Sequence, residues 1–151
     1  MLMGSLATLA QHHLPVTVVV INNAELGLIV WEQLAYLGNV EYGCNLSRID
    51  FAKVAEGCGI RGFHVEHPAD VADALKQALD HDGPALVDCW VDPAVSPFAE
   101  TLQPGQAQNL AAALRRGEPD AAPKAARLLE PDVLAISNHL GVVRQQLEEL
   151  R

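Results

Sequence analysis

The chain has 151 residues and a mass of 16.2 kDa, half of them hydrophobic and 19% charged. That suits one packed domain with an appendage and excludes a disordered chain. Ten Lys and Arg against nineteen Asp and Glu leave a formal charge of −9, which excludes a nucleic-acid grip by bulk electrostatics and disfavours an anionic membrane surface. Cys44, Cys58 and Cys89 are too few and too scattered for a disulfide framework or a zinc knuckle. With the acidity, they point to a reducing, cytoplasmic compartment.

Met1 to Ile21 lacks a basic start, and Gln11, His12, His13 and Pro15 interrupt its apolar run. No export signal and no membrane span is expected there. The segment reads instead as a helix over Leu2 to His12, ended by Pro15, and a strand from Val16 to Ile21. That strand is β-branched almost throughout with no polar alternation, the pattern of a strand covered on both faces. Asn22-Asn23 closes it with turn chemistry. A second helix is predicted from Leu26 to Leu37 with Gly38 as its stop, then loop to Ile49. Asp50 is placed as the N-cap of a helix over Phe51 to Cys58. A short strand follows over Phe63 to Glu66, and Pro68 and Asp70 open a helix running to His81. Asp82-Gly83-Pro84 makes a turn into a third apolar strand, Ala85 to Val91. This alternation predicts an α/β fold, a three-layer parallel sheet with crossover helices.

Composition shifts after Asp92-Pro93, which sets a boundary between residues 1–97 and a tail of residues 98–151. The first part holds four basic and twelve acidic residues and the tail six and seven, so the acidity belongs to the α/β part. Pro97, Pro104, Pro119, Pro123 and Pro131 punctuate Ala-rich helical pieces of the tail. Val133, Ile136, Leu140, Val143, Leu147 and Leu150 form an apolar seam of alternating spacing. It is expected to pack on its own domain or on a neighbouring subunit.

Ligands of open parallel sheets bind outside the carboxyl ends of the strands. The first strand ends in Asn22-Asn23-Ala24-Glu25-Leu26-Gly27-Leu28, two carboxamides and several loop carbonyls followed at once by a helix. An amide oxygen and a carbonyl two residues later suit a hard cation such as Mg2+, if carboxylate and phosphate oxygens complete the octahedron. The plain alternative is that the Asn pair only terminates the strand.

These residues, with Asp50-Phe51-Ala52-Lys53-Val54-Ala55 and Asp82-Gly83-Pro84-Ala85-Leu86-Val87-Asp88, resemble the coenzyme domain of thiamine-diphosphate-dependent enzymes. The branch is that of pyruvate oxidase, acetolactate synthase and benzoylformate decarboxylase. Met3-Gly4-Ser5-Leu6-Ala7-Thr8 looks like the helix after that family's Gly-Asp-Gly motif, and the resemblance covers residues 1–97. It implies an incomplete thiamine-diphosphate-binding fold plus a C-terminal helical tail. It also implies that Asn23 gives its side-chain oxygen and Glu25 its carbonyl to Mg2+, which clamps the coenzyme's diphosphate. Ala24, Leu26 and Gly27 would complete the cofactor-binding turn, while Leu28 and Glu32 would line the reaction pocket as the catalytic positions. The coenzyme carries the hard chemistry at its thiazolium carbon, and the protein orients it and excludes water.

Within the branch the tail stretch Gln106-Ala107 to Arg116-Gly117 and the acid Glu32 favour pyruvate oxidase, acting on a 2-oxo acid. An acetolactate-synthase-type carboligase is the alternative. The sequence departs from the pattern at Leu28, where Met or Phe is usual, and at Ser5, where Glu or Gln is usual. The family's Gly-Asp-Gly, whose Asp is its charged Mg2+ ligand, would precede Met1, as would the pyrimidine-binding domain and a middle domain able to hold FAD. The chain is therefore expected to be a C-terminal fragment that alone binds the coenzyme weakly and is inactive, since one amide and one carbonyl compete poorly with water for Mg2+. A homo-oligomer through the sheet edge and tail is expected. A non-catalytic assembly module is the reading from another class, since a half-sheet leaves an apolar edge uncovered.

Other residues attract plainer readings. His12 and His13 are surface groups at a helix end; His64 and His67 flank a strand without a third ligand at zinc spacing. Cys58 and Cys89 are core thiols, Cys44 an exposed loop thiol, and Trp31 and Trp90 core or interface aromatics, with Trp31 near enough to Glu32 to reach a cavity rim.

Overall fold

A computed structural model describes residues 3–96 and 103–128. They group into two compact units, residues 3–24 with 47–91, and residues 25–46 with 92–96 and 103–128. The seam at Val133 to Leu150 lies outside the described residues.

The first unit is built on three parallel strands in the order β1-β3-β2, with β1 at Thr17–Asn22, β2 at Arg61–Val65 and β3 at Ala85–Trp90. Val19 pairs in register with Val87, and Phe63 with the same Val87. Every β3 residue from Ala85 to Cys89 is buried, as an apolar central strand requires. The two-residue side-chain period then splits the sheet into two covered faces. On one, α1 (Gly4–Gln11) and α3 (Phe51–Gly57) lay Leu6, Leu9, Ala10 and Ala55 against Val18, Val20 and Leu86. On the other, Ala74 and Ala78 of α4 (Val71–Leu79) let that helix settle onto Val65, Ala85, Val87 and Cys89. Among the described residues β1 pairs only with β3, and α4 does not reach its outer half, so Val19 is 46% and Ile21 68% exposed. The α/β sheet with helices on both faces is thus present, and incomplete on the β1 side.

Local signals explain most of these elements. The Asp50 carboxylate accepts the Lys53 N–H at 2.9 Å and caps α3, as the sequence predicts. Pro68 opens a 3-10 turn, Pro68–Asp70, that leads into α4 (Val71–Leu79). Strand β2 starts two residues earlier than predicted because Gly62 hides it; Gly is a poor strand former. The glycine is there for packing. A Cβ at Gly62 would lie 2.3 Å from the carbonyl oxygen of Ala52 in α3. Gly62→Ala is therefore expected to destabilise this unit by about 2–3 kcal/mol, at the upper end of overpacking costs, read as a drop in the urea midpoint at constant slope.

In the second unit the predicted helix over 26–37 is two pieces. An α-helix, α2 (Gly27–Trp31), continues as a π-helical turn, Glu32–Tyr36, closed by the Leu37 N–H donating to the Glu32 carbonyl at 2.9 Å. Gly38 stops it with φ +67°. The carbonyls left by this ending are taken by α5 (Pro104–Arg116). Asn109 Nδ2 donates to the carbonyls of Ala35 and Tyr36 at 3.0 and 3.2 Å, and the Arg116 guanidinium to those of Gly38 and Asn39. With α6 (Ala121–Leu128), these helices bury Val30, Trp31, Leu34, Ala35, Leu110, Ala113, Ala125 and Leu128 in one core. The Ala-rich tail pieces are thus helices packed on residues 25–46. Cys44 belongs to the same core at 1% exposure, its Sγ–H facing the Gln33 side-chain oxygen and the Tyr42 carbonyl. This corrects the exposed thiol expected from loop sequence, and burial pushes its pKa up, as it does at Cys89. Cys58 is half-buried. No described helix is long and apolar enough to cross a membrane.

Candidate functional site

The carboxyl ends of β1, β3 and β2 bring together Asn22, Asp88, Trp90 and His64. Asn22 is buried and its carboxamide is fully engaged: Nδ2 donates to the Ile49 carbonyl at 2.9 Å and to Asp88 Oδ1 at 3.0 Å, and Oδ1 accepts the Ala24 N–H at 3.2 Å. Ala24 adopts φ +54°, a left-handed conformation that costs a residue with a Cβ about 1–2 kcal/mol. Strain of this kind in a turn at a strand end is a pointer to function.

Asp88 is wholly buried, and its Oδ2 accepts the Phe51 N–H at 2.9 Å at the start of α3. His64 Nδ1 lies 3.6 Å from the same oxygen, and its Nε2 faces Glu66 at 3.2 Å. That contact, with Arg48 beside it, holds the Glu66 carboxyl below its usual range. Arg48 stacks on the Trp90 ring at 3.8 Å. Ligand atoms of Asp50, His64 and Asp88 lie within 4.8 Å of one another. The carboxylates already have partners, however: Asp50 takes the Lys53 N–H and ammonium, which lowers its pKa, and Asp88 takes Asn22 and Phe51. In sequence, His64 sits with Glu66 and has no third ligand at metal spacing. The missed signal was Asp88 itself, a charge inside the apolar run Leu86 to Cys89. The described cavity of this unit, lined by Arg61, Phe63, Gln77, Asp80 and His81, lies at the opposite, amino-terminal end of β2.

The residues singled out by sequence take definite places. Asn23 and Ala24 are half-buried in the turn after β1. In the second unit, Glu25 is buried and its carboxylate meets Lys124 Nζ at 3.2 and 3.3 Å, in a pair whose side chains are 4% and 2% exposed. Its carboxylate is thereby committed to the fold, which leaves the carbonyl as its candidate ligand. Leu26 is exposed, Gly27 begins α2, and Leu28 and Glu32, one turn apart, both lie exposed, Leu28 at 54%. Trp31 lies on the other side of that helix, wholly buried in the core rather than at a rim. His12 and His13 are exposed, as expected.

A carboxyl pair joins the 39–46 loop to the start of α6. Glu41 is pushed up to about 7 by a hydrogen bond shared with Asp120, then by burial and by repulsion from Asp120 and Glu25, while Lys124 opposes the rise. Asn45 Nδ2 also donates to Glu41 at 2.9 Å. Because the folded-state value lies above the usual 4.5, the folded chain keeps a proton that the unfolded chain releases between those values. The stabilisation is full below pH 4.5 and is lost as pH rises through about 7. Calorimetric melting is expected to show the transition temperature falling between about pH 5 and 8, with Glu41→Gln removing most of that slope.

Residues 1–89 match the family model of the thiamine pyrophosphate enzyme C-terminal TPP-binding domain. The chain is 40% identical over 91 residues to YdaP of Bacillus subtilis (strain 168), which carries the provisional name of a thiamine pyrophosphate-containing protein; the match covers 60% of this chain and 16% of that one. It is 37% identical over 91 residues to the acetolactate synthase large subunit of Pyropia yezoensis, covering 59% and 15%. Against the mitochondrial acetolactate synthase catalytic subunit of Aspergillus candidus it is 34% identical over 93 residues, covering 61% and 13%. The matched stretch is thus a small part of each relative's length.

Proposed function

The chain belongs to the thiamine pyrophosphate enzymes, with a C-terminal TPP-binding domain over residues 1–89, and from that premise we propose that it holds the cation and diphosphate in an acetolactate-synthase-type carboligase. The sequence alone favours pyruvate oxidase, on the strength of the Ala-rich stretch now seen as α5 and of Glu32. The names of the relatives favour the carboligase instead, and they are the observation that carries this reading. Joining two 2-oxo acids with loss of carbon dioxide involves no net oxidation, so this reading requires no electron acceptor.

The donor chemistry fits the coenzyme's cation. Asn22 is consumed inside the fold by three hydrogen bonds, so the carboxamide assigned to Mg2+ is that of Asn23, with the carbonyl of Glu25 as second ligand. Both are hard oxygens of the kind Mg2+ accepts. Ala24, Leu26 and Gly27 carry the backbone around the diphosphate, and the exposed Leu28 and Glu32 face the 2-oxo acid. Bound thiamine diphosphate supplies the chemistry that joins two 2-oxo acids with loss of carbon dioxide. The residues of this chain bind it, orient it and keep water from it. The uncovered β1 edge, with Val19 and Ile21, is the proposed seat of assembly with a second subunit.

The test is product analysis of the assembled enzyme supplied with pyruvate, Mg2+ and thiamine diphosphate. Formation of 2-acetolactate with release of carbon dioxide is the expected result. Acetate formed at the expense of an electron acceptor would return the assignment to the oxidase.

A further inference from the structure

A carboxylate at the centre of a parallel sheet is costly to bury, and it persists only where donors meet it. Asp88 is wholly buried in β3 among Leu86, Val87 and Cys89, where an apolar residue would pack without that cost. Its two oxygens meet two donors from different elements, Asn22 Nδ2 at the end of β1 and the Phe51 N–H at the start of α3. Asn22 carries the connection onward. The same carboxamide that donates to Asp88 accepts the Ala24 N–H and donates to the Ile49 carbonyl, so its orientation is fixed on three sides. The backbone it holds is the left-handed residue Ala24, which has no intrinsic preference for that conformation. Between Asn22 and Ala24 stands Asn23.

We infer that Asp88 is a positioning residue for the cation-binding turn: it locks the Asn22 carboxamide, which in turn locks the strained backbone that presents Asn23. The inference rests on the proposed coenzyme function for its purpose, and on the hydrogen-bond chain alone for its mechanics. A carboxylate suits this place because it offers an acceptor oxygen to each donor. Asp88→Asn keeps the shape but has one oxygen for two N–H donors and turns an NH2 group against the other.

Two measurements test it. In the 151-residue chain, Asp88→Asn is expected to speed hydrogen exchange at the Ala24 amide by more than tenfold, while Val87 in the middle of β3 changes less than twofold. In the assembled enzyme the same variant is expected to raise the dissociation constant for Mg2+-thiamine diphosphate more than tenfold, with the KM for pyruvate unchanged at saturating coenzyme. A general loss of core stability would instead move Val87 along with Ala24. If Asp88→Asn fails to fold, Asn22→Ser severs the same link with Asp88 retained and must show the same two effects. Unchanged Ala24 exchange in either folded variant overturns the inference, as does unchanged coenzyme affinity where the wild type binds. A wild type that takes up no coenzyme sinks the proposed function instead.

Discussion

Asn23→Ala in the assembled enzyme is expected to weaken Mg2+-dependent retention of thiamine diphosphate by more than tenfold, equivalent to a loss of more than about 1.4 kcal/mol. Mg2+ demands near-ideal octahedral geometry and gives up its waters reluctantly. A site that loses one protein oxygen must therefore take back a water and loosen its hold on the diphosphate. Asn23 is half-buried in the turn, and the bonds to Ile49, Asp88 and Ala24 are made by Asn22. Asn22→Ala makes the contrast: it leaves the buried Asp88 short of a donor and should lower both affinity and melting temperature. Equilibrium dialysis of the coenzyme across a Mg2+ series, with melting curves alongside, separates the two. An unchanged constant for Asn23→Ala would remove this residue from the ligand set.

The largest effect on stability is expected at the buried Glu25–Lys124 pair. Lys124→Met leaves the Glu25 carboxylate buried without its ammonium, and breaking a buried pair from one side costs about 3–5 kcal/mol. The loss should exceed that at an ordinary ion pair because Glu41 also feels the same ammonium. Urea unfolding followed by tryptophan fluorescence in a Trp90→Phe background reports on this unit, since Trp31 lies in its core. The double variant Glu25→Gln with Lys124→Met should recover most of the loss, because no charge is then left buried. A single variant within about 0.5 kcal/mol of wild type, the range of an ordinary surface substitution, would show that the pair is solvated in solution.

Much of the first unit was legible because its signals are local. The β-branched run ending in Asn22, the apolar run from Ala85 and the Asp50 cap each announce one element, and a parallel sheet follows from their alternation. The turn after β1 was legible as a place, but the division of labour between Asn22 and Asn23 was not, because it depends on Asp88, sixty-six residues away. The same limit hid the burial of Cys44, whose loop is covered by side chains distant in sequence. The π-helical turn also escaped, since its last carbonyls are completed by Asn109 and those just after it by Arg116, both from α5. Composition placed a boundary near residue 97, whereas packing groups residues 25–46 with α5 and α6. Periodicity reports which face of a helix is apolar and not which distant helix will meet it.

The bare flank of β1 has a bearing on how this polypeptide behaves in concentrated solution. Peptide groups on its outer side have no strand beside them among the described residues, and Val19 and Ile21 stand next to them in contact with water. Such a margin is a template for any extended apolar segment, including one from an identical molecule. The surplus negative charge carried by residues 1–97 opposes such pairing, and salt screens it within about 10 Å at 0.1 M.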